Sequence, residues 1–191
     1  MFLFQAGEPI QIKLAVIGKG VVGKSSLTYR FINYEIPKGH DPTIEDRYKA
    51  EVKIEGKPYS IEILDTAGED DYQNMMDMWI NFGQGFLLVF AIDDRESFEK
   101  IQSKRERVLK GKHNQPTPMV LVGNKQDLAD KRVVTYDEAK QLADSWGIEY
   151  YETSAKTKFN CNKPFERLAV IISESREKPK PRSCCCCCNI Y

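Results

Sequence analysis

The chain has 191 residues, enough for one domain with short tails and for burying about 70% of the surface its unfolded form exposes, so its core needs no disulfide or structural metal. Twenty-eight Lys and Arg balance 28 Asp and Glu, and the zero formal charge excludes a broad nucleic-acid-binding face. The apolar opening Met1-Phe2-Leu3-Phe4 lacks the charged leader and long apolar stretch of a secretory signal, no run reaches membrane-spanning length, and the six cysteines form no disulfide or zinc framework, so a cytosolic body with reduced thiols is expected.

Short apolar runs alternate with amphipathic ones along the chain, the pattern of a largely parallel sheet with helices on both faces. Ile12 to Ile17 is nearly continuous aliphatic sequence and predicts a strand covered on both sides. A helix is expected over Lys24 to Asn33. Arg47 to Ile54 and Pro58 to Leu64 alternate and flank Glu55-Gly56-Lys57, which predicts a hairpin at one edge of the sheet. Phe86 to Ile92 and Met119 to Val122 repeat the buried-strand pattern, with a helix between them over Arg95 to Leu109. Thr135 precedes Glu138 by three residues, a capping-box start for a helix over Tyr136 to Trp146, and Glu149 to Thr153 reads as a further strand. The last helix, Pro164 to Arg176, places Pro164 at its first position after Asn162 and repeats Phe165, Leu168, Ala169 and Ile172 on one face. Beyond Arg176 apolar content disappears and order should end.

These elements predict an α/β fold with a mostly parallel six-stranded sheet, one antiparallel edge strand and helices on both faces. The organisation expected is a short extension over 1–9, a single domain over 10–176 and a basic, Cys-rich tail over 177–191.

Gly18-Lys19-Gly20-Val21-Val22-Gly23-Lys24-Ser25 matches GxxxxGK[ST] and falls between a predicted strand and a predicted helix, the context such a phosphate loop requires. Its glycines let backbone amides point inward, the helix N-terminus adds partial positive charge, Lys24 can reach terminal phosphates, and the Ser25 hydroxyl suits Mg²⁺. Alone, the loop specifies a nucleoside triphosphate and leaves the base open.

Asn124-Lys125-Gln126-Asp127 and Ser154-Ala155-Lys156 each follow a predicted strand, at the sheet edge where open α/β folds bind ligands. The Asp127 carboxylate can accept from N1–H and the 2-amine of guanine, whereas adenine presents an acceptor at N1 and no 2-amine. Such a mismatch discriminates by ~10⁴-fold or more. Asn124 would brace the loop, the Ala155 amide would meet the guanine O6, and the Lys125 and Lys156 stems would cover the base. A P-loop kinase or ATPase leaves Asp127 without a role.

With Asp41-Pro42-Thr43-Ile44-Glu45-Asp46 and Asp65-Thr66-Ala67-Gly68 added, five motifs agree in order and spacing, and over residues 10–176 the chain resembles the Ras family of small GTPases, nearest its Ras and Rap branch. The resemblance implies a P-loop small G domain that binds GDP and GTP with Mg²⁺, hydrolyses GTP, and signals as a monomer through exchange factors, activating proteins and effectors with Ras-binding-type domains. It assigns Ser25, Thr43 and Asp65 to the metal and Lys24, Thr43, Gly68 and Glu69 to catalysis. Nucleotide contacts are implied for the whole phosphate loop from Gly18 to Ser25, and for Ser26, Ile36, Thr43, Gly68 and the base-reading residues. Asp41 to Asp46, with Arg47 and Tyr48, would form the effector surface, where an incoming strand could pair at the sheet edge.

Lys19, Val21 and His40 differ from the commonest family residues, and two further departures, Glu69 and Ile36, bear on mechanism. Glu69 stands where Gln usually orients the attacking water; a carboxylate accepts a proton but brings negative charge beside the phosphate. The alternative reading is therefore a GTP-binding scaffold with little hydrolysis. Ile36 stands where an aromatic ring usually meets the base, so faster GDP release is expected. At the tail, Cys188-Asn189-Ile190-Tyr191 has the frame of a prenylation box, and Cys184, Cys185, Cys186 and Cys187 are candidates for palmitoylation beside Lys178, Lys180 and Arg182. The expected location is the cytoplasmic face of a membrane, foremost the plasma membrane.

Overall fold

The computed structural model describes residues 8–33, 45–66, 68 and 75–177. Its strands are β1 (Ile10–Gly18), β2 (Glu45–Ile54), β3 (Lys57–Thr66), β4 (Gly85–Ala91), β5 (Met119–Asn124) and β6 (Glu149–Glu152). Its helices are α1 (Lys24–Phe31), α2 (Met76–Phe82), α3 (Arg95–Gly111), α4 (Tyr136–Ser145) and α5 (Lys163–Glu177). The strands form one six-stranded sheet in the order β2-β3-β1-β4-β5-β6. Every pairing is parallel except β2 with β3, as expected from the sequence.

The continuous aliphatic runs are divided between two cores. Ile12, Leu14 and Val16 of β1, with Leu87 and Val89 of β4, join Leu27 and Phe31 of α1 and Phe165 and Leu168 of α5. Ala15 and Ile17, with Phe86, Leu88 and Phe90, join Trp79 of α2, Ile101 of α3 and Ala139 of α4. Side chains alternate across a strand, so a sheet covered on both faces needs apolar residues at every position. The Phe31 and Phe165 rings stack with centroids 4.4 Å apart and tie α1 to α5.

Local chemistry sets the turns and helix ends. Glu55 and Gly56 both have positive φ, 49° and 83°, as a two-residue type I′ hairpin turn requires. The Asp94 carboxylate accepts from the Ser97 amide and caps α3, and the Thr135 hydroxyl accepts from the Glu138 amide and caps α4. The Glu138 carboxylate also interacts with the Thr135 backbone, as a capping box requires, and pairs with Arg95 of α3. α1 ends at Phe31, two residues earlier than the periodicity predicts, with Asn33 in the left-handed region at φ 61° just beyond it. α5 starts at Lys163, one residue before the expected Pro164. Periodicity gave no sign of α2 or of the 3-10 turn Gln126–Lys131.

Parallel strands bring the ends of β1, β5 and β6 to one edge of the sheet. The phosphate-loop motif and both candidate base-reading motifs follow those ends.

Candidate nucleotide-binding site

The loop between β1 and α1 is held in a shape few side chains permit. A Cβ on Gly18 would overlap the Val89 carbonyl, and one on Gly23, at φ 91°, would lie 2.5 Å from Asn124 Nδ2. Val21 adopts φ 65° while 75% exposed, a conformation rare for a β-branched residue and a store of local strain.

Lys24, the first residue of α1, is only 6% exposed, and its ammonium donates to the Lys19 carbonyl at 3.0 Å. Burial pushes its pKa down to about 8, against the opposing pull of Asp65. Asp65, on β3, is fully buried. Burial raises its carboxyl to about 6, while a hydrogen bond from Ser25 and the Lys24 charge act the other way. Neither Asp65 oxygen is satisfied by a well-formed hydrogen bond among the described residues; the Ser25 contact favours the ionised form without completing its shell. Gly68 packs its backbone directly against Lys19 and Gly20, so closely that a Cβ there would overlap theirs.

A cavity of about 430 Å³ opens beside this loop, lined by Val21, Gly23, Ser26 and Arg30 on one side and Asn124, Lys125, Asp127, Leu128, Ala155 and Lys156 on the other. Asn124 joins the two sides: its Nδ2 donates to the Val22 carbonyl at 2.9 Å, and its Oδ1 accepts from the Thr153 hydroxyl at 3.1 Å. Asp127 is fixed by the Ser154 hydroxyl, which donates to Oδ1 at 2.6 Å, with the Lys156 ammonium 3.9 Å from Oδ2. Arg30 Nε donates to the Ala155 carbonyl at 2.7 Å and holds that loop to α1. A larger cavity of about 620 Å³ shares Arg30 and is lined further by Asn33, Lys158 and Lys163. It touches none of the motif residues and is not the better candidate, despite its size.

The structure thus brings Gly18 to Ser26, Asp65, Gly68, Asn124, Lys125, Asp127, Ser154, Ala155 and Lys156 to one edge of the sheet. The Lys19 side chain turns away from the cavity toward Asp94 and Glu96 of the α3 start. Glu45, Asp46, Arg47 and Tyr48 begin β2, with Tyr48 hydroxyl bonded to Tyr29 and Trp79 Nε1 donating to Glu45 at 3.0 Å. Ile36, Asp41, Pro42, Thr43, Ile44, Glu69 and Cys184 to Cys188 lie outside the described residues.

Sequence reasoning missed Arg30, Leu128 and Thr153. Arg30 sits near the C-terminal end of a helix, where a basic residue is adequately explained by the helix dipole, and nothing in its spacing signals a bond to residue 155.

The Asp65 carboxylate and the Ser25 hydroxyl facing it are oxygen donors that fit Mg²⁺ together with phosphate oxygens, since this ion takes few protein ligands and keeps its waters, while the desolvated Lys24 ammonium suits the phosphates themselves. Among the described residues no group of three His, Cys, Asp or Glu could hold a metal ion.

The Ras family model matches residues 13–174. Over 169 residues the chain is 43% identical to the Ras-like protein rasB of Dictyostelium discoideum, covering 88% of this chain and 86% of that one. With the matched span running from β1 into α5, across the whole sheet and both nucleotide-facing loops, the chain belongs to the Ras family of small GTPases.

Proposed function

We propose that the chain binds GDP and GTP in the 430 Å³ cavity, hydrolyses GTP to GDP and phosphate, and signals through the loops that meet the γ-phosphate. The observation that carries this reading is the Asn124 link, which joins a phosphate loop to a base-reading loop across a single cavity. In this arrangement Asp127 accepts from guanine N1–H and the 2-amine, the Ala155 amide donates to O6, and Lys125 and Lys156 cover the base. Amides of the loop from Gly18 to Ser25 and the Lys24 ammonium surround the phosphates, and phosphate charge returns to Lys24 the favourable partner that burial removes.

Ser25, Thr43 and Asp65 would hold Mg²⁺, which supplies charge neutralisation to the β- and γ-phosphate oxygens. Thr43 and the Gly68 amide meet the γ-phosphate, so its loss frees both loops at once and changes the surface a partner reads. Gly68 needs its bare Cα for this approach to Gly20. Glu69 orients the attacking water by accepting its hydrogen bond, and an activating protein that inserts an Arg offsets the added negative charge.

Single-turnover release of γ-phosphate from pre-bound GTP tests the reading. Hydrolysis that slows in Glu69→Ala and changes in Glu69→Gln supports the catalytic role; equal rates in all three proteins remove Glu69 from the mechanism. No phosphate release, with GTP still tightly held, selects the second reading, a GTP-binding scaffold, which the replacement of Gln by Glu69 favours.

The remaining proposals concern partners. Strand addition along β2 by a basic effector domain is favoured by Glu45 and Asp46 at its start. Lipids on Cys188 and its neighbours, with the basic tail, would anchor the chain at the cytoplasmic face of the plasma membrane, because a single lipid anchors weakly and a second signal is required. Mass spectrometry of protein from its native cell settles this: an unmodified C-terminus rules the anchor out.

A further inference from the structure

The turn after β4 carries carboxylates that engage a lysine from each nucleotide loop. Lys125 Nζ lies 3.4 Å from Asp93 Oδ1, an ion pair without hydrogen-bond alignment. The contact to the phosphate loop is tighter: Lys19 Nζ lies 3.0 Å from Asp94 Oδ2 and 2.6 Å from Glu96 Oε2.

An ion pair between freely moving surface side chains contributes little, because ordering both of them offsets the attraction. Here one partner is already ordered. Asp94 uses its other oxygen, Oδ1, to accept from the Ser97 amide at 3.2 Å as the α3 cap, and the Ser97 hydroxyl donates to the Asp94 carbonyl at 2.7 Å. The Lys19 and Asp94 side chains are 27% and 31% exposed, so water screens them only in part. Lys19 also sits at a junction of the loop. Its carbonyl receives the Lys24 ammonium, and Gly68 packs on its backbone. A shift of the Lys19 peptide therefore moves the group that grips phosphate and the surface on which Gly68 rests.

We propose that Lys19, clamped between Asp94 and Glu96, is a positioning residue that locks the phosphate loop to the first turn of α3 and slows the release of GDP and GTP. The proposal rests on the cavity being a guanine-nucleotide site. Its chemistry is preorganisation: a loop whose amides already point inward pays less ordering entropy on binding, and a loop freed from α3 releases its ligand sooner.

The test uses the full chain loaded with fluorescent GDP and follows its release in wild type, Lys19→Gln, the pair Asp94→Asn with Glu96→Gln, and all three substitutions together. Asn at 94 retains an acceptor oxygen for the Ser97 amide, so α3 stays capped while the charge is removed. Release is expected to quicken by about 5–20-fold in Lys19→Gln and in the carboxylate pair, with the triple variant no faster than either, as for groups acting through one contact. Lys19→Arg should restore release to within about twofold of wild type, since the guanidinium keeps the charge. Raising salt from about 0.05 to 0.5 M should quicken wild-type release and leave the carboxylate pair unchanged. Unaltered release in the variants, or additive effects, overturns the clamp while leaving nucleotide binding intact. A wild-type chain that holds ADP as well as GDP fails before any variant is compared, and overturns the guanine reading and the clamp together.

Discussion

Asn124 donates from Nδ2 to the Val22 carbonyl at 2.9 Å, so a residue at the end of β5 is bonded to the phosphate loop 102 positions earlier. The same side chain accepts from Thr153, which places three loops under one amide group. Asn124→Ala leaves the Val22 carbonyl and the Thr153 hydroxyl without their partner. At about 1–3 kcal/mol for such a loss, GDP release should quicken by roughly 5–150-fold, measurable by displacement of a fluorescent nucleotide.

Asp127 is held by Ser154 with its carboxylate facing the cavity wall that Leu128 and Ala155 continue. In the proposed reading, Asp127→Ala removes the acceptor for guanine N1–H and the 2-amine. The preference for GTP over ATP should fall by ~10³-fold or more in competition binding, and a variant that still discriminates places base recognition elsewhere.

Burial gives the nucleotide-free protein a defined pH response. The folded Asp65 carboxyl titrates at about 6, above its ordinary 3.8, so the folded state holds an extra proton between these values. Stability from this group is present below about 3.8 and is lost as pH rises through 6. Lys24 is depressed from 10.5 to about 8, so its contribution is lost as pH falls through 8 and recovers above 10.5. At neutral pH both groups therefore weaken the empty fold. Asp65→Asn should stabilise nucleotide-free protein at pH 7.5 by about 1–3 kcal/mol in urea unfolding while abolishing the added stability that Mg²⁺ and GDP give the parent chain.

By the family resemblance Ile36, which lies outside the described residues, stands where an aromatic ring usually meets the base. Installing a ring with Ile36→Phe should slow GDP dissociation by roughly 5–150-fold, the range corresponding to about 1–3 kcal/mol of base–aromatic contact. An unchanged rate would mean that the base is held fully by the Asp127 side of the cavity.

The central strands were legible because burial on both faces leaves no position for a polar residue in β4 or over Met119 to Val122 of β5, and the hairpin because β2 and β3 alternate around Glu55-Gly56. α2 was not. It has seven residues, buries only Met76, Trp79 and Ile80, and starts without a side-chain cap, so neither periodicity nor a start signal marks it. The 3-10 turn Gln126–Lys131 buries nothing and gives no pattern at all. At the site, Lys24, Ser25, Asn124 and Asp127, which local motif spacing singles out, lie at one edge of the sheet. Arg30, Thr153 and the α3 partners of Lys19 carry no such mark, because their roles come from contacts 29 to 125 residues away that only the folded sheet creates.

Among the described residues the sheet, in the order β2-β3-β1-β4-β5-β6, has a margin without a neighbouring strand at β2 and at β6, and unpaired strand backbone is a template on which identical chains can stack. The β6 margin is blunted by brevity, with four residues. The β2 margin is ten residues long and depends on charge: Glu45, Asp46, Arg47, Lys49, Glu51 and Lys53 leave few uninterrupted apolar neighbours for a second copy to zip against. Substituting these ionic residues with Val or Thr would remove that charge and favour fibre formation along β2.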